Sequence, residues 1–282
     1  MALDPGVLVL VLLAAVGHAS WNALAKAGDD KLVFMAYQIC LPVVPAFVAV
    51  LLLPPMAASA WPYLIVSVVV HNVYFALLIG AYRHGDLSQV YPISRGSAPA
   101  LVALGAWVLA GEALNAGELL GVFIVSSGII SLAWRRGRRH DGETKAVALA
   151  LLNGLAIATY TVADGLGVRE SGAAFTYIAW LFALDGFPLA AAAWWRRRGR
   201  LKVAFTAQLK PGIAGAVIAS LSYAIVIWAL SQGPMAHIVA LRETSVLLAA
   251  AIGTLVLGER FGRYRIVAAA VIATGAIVLQ IG

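Results

Sequence analysis

Ten runs of mostly apolar residues follow one another along the chain, each near the roughly 20 residues that a helix needs to cross a bilayer. They are Gly6–Ala25, Leu32–Leu53, Pro62–Ala81, Ser88–Ala110, Glu118–Trp134, Ala146–Leu166, Ala173–Trp195, Pro211–Ser231, Met235–Gly258 and Ile266–Ile281. Strands of a membrane barrel would instead alternate apolar and polar residues over about ten positions. Helix is the other way to satisfy every backbone group in lipid, so the expectation is an all-α membrane protein of ten transmembrane helices. Composition agrees: 62% of the 282 residues are hydrophobic and 12% charged, against about a quarter charged in a soluble domain. The first run has an aspartate before it (Asp4) and no Lys or Arg. It lacks the basic start of a cleaved leader and is expected to be a mature helix.

The charges set an orientation. Arg95 and Arg242 lie inside runs; of the other Lys and Arg residues, all but Arg169 fall in connectors after odd-numbered runs. Basic connectors stay in the cytoplasm, which puts both termini outside, in the periplasm of a bacterial inner (plasma) membrane. The net charge of +7 is therefore a topology signal rather than a nucleic-acid surface. Cys40 is the only cysteine, so no intramolecular disulfide or paired-cysteine metal site can form. No metal or cofactor is expected.

The chain repeats itself. A shift of 139 residues lays Ser20-Trp21-Asn22 on Thr159-Tyr160-Thr161, and a shift of 147 lays Arg95 on Arg242, Gly111-Glu112 on Gly258-Glu259 and Gly128 on Gly275. The polar, Arg-rich stretch 135–145 divides a first unit, 1–134, from a second, 146–282. With five helices in each, the second must enter the membrane from the opposite side, giving two inverted five-helix repeats. Such repeats place a substrate site near the midplane, at their interface.

The end of each half, an apolar helix closing in Gly-Glu before a Gly-rich last helix (Leu109-Ala110-Gly111-Glu112 with Gly121 and Gly128; Leu257-Gly258-Glu259-Arg260 with Gly275), resembles the EamA domain of the drug/metabolite transporter superfamily. The stretch Ala81–Pro92 resembles the join between the third and fourth helices of that family. The nearest functional resemblance is to bacterial amino-acid exporters of the YddG type. It implies helices 1–4 and 6–9 around a central cavity, with 5 and 10 peripheral. Val239 and Val246 stand where the first half has Pro92 and Pro99, so the halves need not gate alike.

Polar groups at membrane depth cost about 2.5–3.5 kcal/mol for a central charge and each needs a reason. His18, Trp21 and Asn22 share one face of helix 1, suited to a polar ligand with an apolar body or to a hydrogen-bonded helix contact. His71, Tyr74, Phe75 and Tyr82 form a stripe on helix 3, with Asn72 beside it. Asn153, Tyr160 and Asp164 lie on one face of helix 6, and Asp164 is near enough to the expected outer end to snorkel. Tyr91 and Tyr223 add phenols on helices 4 and 8. Arg95 and Arg242 could hold a substrate carboxylate through two parallel hydrogen bonds or form an interhelical bridge. Glu243, about 100° around the helix from Arg242, is expected to pair elsewhere. Asp185, mid-helix in run seven, is protonated, paired with Arg95 or Arg242, or part of a proton route; it and Glu243 are the candidates for proton coupling. Pro42, Pro45, Pro92 and Pro99 free backbone carbonyls and permit bends.

The expected activity is secondary export of amino acids, aromatic ones included, from the cytoplasm by alternating access, with lipid and a small molecule as partners and a monomer or homodimer as the assembly. Other small metabolites, nucleotide-sugars, sugar phosphates and cationic drugs are alternative cargos. Phosphates want more cavity cations than two arginines, and a drug pump wants an unpaired carboxylate. Phosphate-binding, zinc-protease and serine-hydrolase motifs are all missing from the sequence, which sets aside an intramembrane enzyme on lipid-linked substrates.

Overall fold

The computed structural model describes residues 3–27, 31–84, 87–132, 143–185, 191, 195, 205–248 and 263–282. Among these the chain is helical, with no strand: α1 Pro5–Ala27, α2 Lys31–Cys40, α3 Val43–Leu52, a single 3-10 turn Ala58–Ala60, α4 Trp61–His84, α5 Leu87–Ala110, α6 Ala116–Ser131, α7 Glu143–Glu170, α8 Ala174–Asp185, α9 Leu209–Leu230, α10 Met235–Glu243 and α11 Arg263–Ile281. Six helical stretches are long and apolar enough to cross a membrane; α6, α8 and Val267–Ile281 are shorter apolar ones. Large apolar side chains point outward all along the bundle, Leu51 84% exposed and Phe123 69%. A surface so apolar needs hydrocarbon around it, and the chain is a multi-pass membrane protein.

Two expected spans are broken. The second run divides into α2 and α3 at Leu41-Pro42, because proline brings no N–H to continue the ladder. Leu41 N donates to Tyr37 O at 3.0 Å to close α2, and Ala46 N donates to Pro42 O at 2.9 Å to open α3. Pro45 falls in the first turn of α3, where its missing donor is harmless, and α5 runs unbroken through Pro92 and Pro99. In the ninth run, α10 stops at Glu243; Thr244 makes a turn before helix resumes over 245–248, its hydroxyl donating to Leu241 O at 2.6 Å. The rest of that run, 249–258, lies outside the described residues.

The ends of the helices show which way each half runs. Leu3 packs against Gly233. Ala57 N donates to Ser171 O at 2.9 Å, Thr176 Oγ1 to Pro54 O at 2.7 Å, and Asn115 Nδ2 to Gly282 O at 2.6 Å. Arg169 pairs with Glu112 at 2.6 Å and donates to Leu230 O and Gly233 O, while Met235 N donates to the other Glu112 oxygen at 2.8 Å. Both described termini thus lie at one end of the bundle, with α1 running away from that end and α7 toward it. The main buried core, including Val7, Val11, Leu64, Val102, Tyr177, Leu230 and Ile238, fills the same end.

α6 begins at a capping box the apolar pattern did not mark: Glu118 N donates to Asn115 Oδ1 at 2.9 Å and Asn115 N to Glu118 Oε2 at 2.8 Å. The helix then lies on α11, backbone against backbone. A Cβ at Gly121 would stand 2.5 Å from Leu279 N, and one at Gly275 would stand 2.7 Å from Val125 N. This is the small-residue contact by which helices associate in lipid. Gly121→Val should push α6 off α11 and cost about 1–3 kcal/mol. Loss of monodisperse protein from detergent extracts measures it; an unchanged elution profile and melting temperature would show that the contact is dispensable.

Candidate functional site

Below the core, farther from the end holding the termini, a cavity of about 160 Å³ opens between the halves. Its position follows from residue order. On α1 the core residues Leu3, Val7 and Val11 come first and the cavity residues Ala14, His18 and Trp21 after; on α10 the buried stretch from Met235 precedes Arg242. α2 contributes Gln38 and Ile39, the break Pro42, α4 His71, Tyr74 and Phe75, α5 Arg95, α7 Tyr160, α8 Phe182 and Asp185, and α9 Ala219, Ser220, Ser222, Tyr223 and Val226. α6 and α11 contribute nothing. The break at Pro42 lines this space, and the break at Thr244 comes two residues after the lining Arg242, so backbone freed from its ladder can be satisfied away from lipid.

One wall is cationic. Arg95 Nε stands 3.0 Å from Glu243 Oε2, a buried ion pair between the first and second halves, and Arg242 Nη2 is 3.6 Å from Glu243 Oε1. Glu243 therefore pairs elsewhere, as expected from helical geometry, but its second oxygen also reaches its neighbour. Arg95 Nη2 lies 3.1 Å from His18 Nε2. A guanidinium only donates, so that nitrogen of His18 accepts and carries no proton. Tyr91 lies under Arg95, 5.9 Å from ring centre to guanidinium carbon. Two arginines against one glutamate leave one positive charge over. The Arg242 guanidinium also hydrogen-bonds the Tyr160 side chain.

A second part of the lining is acidic and aromatic, and Tyr160 joins it to the Arg242 guanidinium. His71 Nδ1 is 3.5 Å from Asp185 Oδ2, so the partner of Asp185 is an imidazole on α4 and not Arg95 or Arg242. The His71 ring stacks on Tyr160 with centroids 4.1 Å apart and 23° between planes, and it meets Tyr74, Phe75 and Tyr223 within about 6 Å. Asn153 Nδ2 donates to Tyr74 O at 2.8 Å and fixes α7 against this stripe.

The structure thus brings together His18, Trp21, His71, Tyr74, Arg95, Tyr160, Asp185, Tyr223 and Arg242 around one space, with Glu243 buried behind the arginines. Asn22 and Asn72 do not join them. Each amide donates to a carbonyl one turn back in its own helix, His18 O and Val68 O, both at 2.7 Å, the local competition that Asn offers inside a helix. Tyr91 is set behind Arg95 rather than in the lining. The Tyr82 side chain lies outside the described residues. Asp164 does not snorkel: it is 1% exposed, and Tyr177 and Tyr223 donate to its two oxygens at 3.0 and 2.8 Å. Gln38, Phe182, Ser220 and Ser222 were not singled out by sequence. Gln38, the one amide in the second run, was the visible signal among them.

Residues 144–281 match the EamA-like transporter family. One similar solved structure, described as "Crystal structure of protein", aligns with a TM-score of 0.70 at 16% identity, over 98% of this chain and 95% of that chain. It shares the fold across nearly the whole length. No curated protein matches the sequence.

Proposed function

Because residues 144–281 form an EamA-like transporter domain in a multi-pass membrane chain, we propose that the protein is a secondary exporter of the drug/metabolite transporter type whose cargo is amino acids, aromatic ones included. The observation that carries this reading is the division of the cavity: Arg242, with the Arg95–Glu243 pair behind it, on one wall, and Asp185 with His71 on the other, joined by Tyr74, Phe75, Tyr160 and Tyr223. A zwitterion with an aromatic side chain meets a partner at each point: carboxylate to guanidinium, ammonium to carboxylate, ring to ring. A phosphate-bearing cargo would find one unmatched cation where it needs several.

The proposal includes the architecture. Residues 1–134 and 146–282 are two five-helix repeats of opposite insertion joined by the connector 135–145, and the opposed directions of α1 and α7 support it. The charge pattern makes the end with the termini periplasmic, so the described state, sealed there by its core, is closed to the outside. Rocking of the halves then exposes the cavity to the periplasm.

Purified protein in proteoliposomes loaded with unlabelled L-phenylalanine should accumulate labelled L-phenylalanine by counterflow, and more slowly L-leucine, but not phenethylamine or glucose 6-phosphate. Tyr160→Ala, which removes the ring stacked on His71, should reduce that counterflow by about tenfold at unchanged reconstitution. Preference for the sugar phosphate, or no counterflow of any amino acid, sinks the cargo assignment.

A further inference from the structure

We infer that Asp164, acting through Tyr223, is a proton-binding site that competes with the ammonium end of the cargo, making export an exchange for protons; the cargo half of this rests on the amino-acid reading above. Asp164 sits within the membrane-spanning part of α7, and its carboxylate is held by two phenols, Tyr177 Oη at 3.0 Å and Tyr223 Oη at 2.8 Å. From α4 the Ser67 hydroxyl and the His71 imidazole face it. α5 and α10 meet this part of α7 through Gly105 and Met235, which carry no titratable group. No Lys or Arg forms an ion pair with it among the described residues. A carboxyl kept only to join helices would be matched by a cation or replaced by an amide, and an intramembrane acid with neither calls for a functional reason.

Tyr223 supplies that reason because it belongs to two places at once. Its ring lines the cavity on the acid wall, 5.5 Å from the His71 ring, and its hydroxyl donates to Asp164. While Asp164 is ionised, the Tyr223 hydrogen is committed to the carboxylate and the free lone pair on its oxygen can accept from an ammonium in the cavity. When Asp164 takes a proton on Oδ2, that oxygen becomes the donor, Tyr223 Oη accepts, and the phenol O–H is released to turn toward the cavity. One proton is gained by the carboxyl, no covalent bond of the tyrosine is broken, and the acceptor offered to the ammonium is replaced by a donor. Proton and cargo then weaken one another's binding, and by linkage the effect is mutual.

The test has two arms. Acid-minus-alkaline infrared difference spectra of the reconstituted wild type should show the carbonyl stretch of a protonated carboxyl, absent in Asp164→Asn, shifted in Tyr223→Phe, and diminished when L-phenylalanine is added. In proteoliposomes, an imposed pH gradient should drive labelled L-phenylalanine accumulation by the wild type. Asp164→Asn should keep equilibrium counterflow while accumulation under the gradient falls to the equilibrium level reached without one; Tyr223→Phe, which removes a hydroxyl from the cavity, should weaken counterflow and also lose the response to the gradient. Should Asp164→Asn not fold, the shifted carboxyl band of Tyr223→Phe and its response to the gradient, taken relative to its own counterflow, carry the test. A carboxyl band that does not depend on residue 164, or variants still driven by the gradient, overturns the assignment. Absent counterflow of L-phenylalanine in the wild type overturns the cargo instead, and the infrared band then decides Asp164 by itself.

Discussion

Glu243→Gln should be the most damaging conservative substitution in the chain. Glu243 is fully buried between Arg95 and Arg242, at 3.0 and 3.6 Å, and the amide would leave two guanidinium groups facing one another with no anion between them. Removing one partner of a buried pair costs about 3–5 kcal/mol, a large share of the roughly 5–15 kcal/mol by which a domain is stable. The expected result is a sharp drop in melting temperature and in yield of monodisperse protein. Arg95→Gln combined with Glu243→Gln should recover much of that loss, since the pair then disappears together and leaves a single buried cation at Arg242. Recovery by the double variant identifies a bridge between halves. A single variant as stable as the wild type would show that Glu243 holds nothing.

Arg242→Gln should do the reverse, sparing the fold and removing the carboxylate subsite. A charge-assisted hydrogen bond contributes about 1.5–3 kcal/mol, which is about 10- to 100-fold in affinity. The apparent affinity for L-phenylalanine, read from the concentration dependence of counterflow, should fall by that factor. Inhibition by L-phenylalaninol, which keeps ring and ammonium but lacks the carboxylate, should change little. Equal losses for both compounds would mean that Arg242 supports the cavity without touching the cargo. The contrast with Arg95 is the point: sequence places the two arginines in register, yet only Arg95 spends its charge on a close ion pair.

Much of this was legible because lipid is a severe solvent. Apolar runs and the intramembrane His71, Arg95 and Arg242 each stand out against hydrocarbon, and the helical stripe of His71 and Tyr74 does face the cavity. What failed to show was set by local backbone competition and by helix ends. Asn22 and Asn72 have the spacing of ligands, but an amide in a helix can turn back to its own carbonyls, and both do. Asp164 was placed near a helix end because the apolar pattern stops at Leu166. α7 continues through polar residues to Glu170, which sets the carboxyl inside the bundle where a snorkel cannot reach water. The His71–Asp185 pair joins residues more than a hundred positions apart and has no signature in spacing at all. Pro42 announced its break; Thr244 did not, since threonine is compatible with helix and turn alike.

The contact of α6 with α11 has a mechanical consequence. Side chains can change rotamer and let helices slide, but where the α-carbons of Gly121 and Gly275 lie directly on a neighbouring main chain there is nothing to re-pack. Under the rocking proposed above, that line, remote from the cavity, is the hinge pin about which the other helices swing. The pin itself stays still.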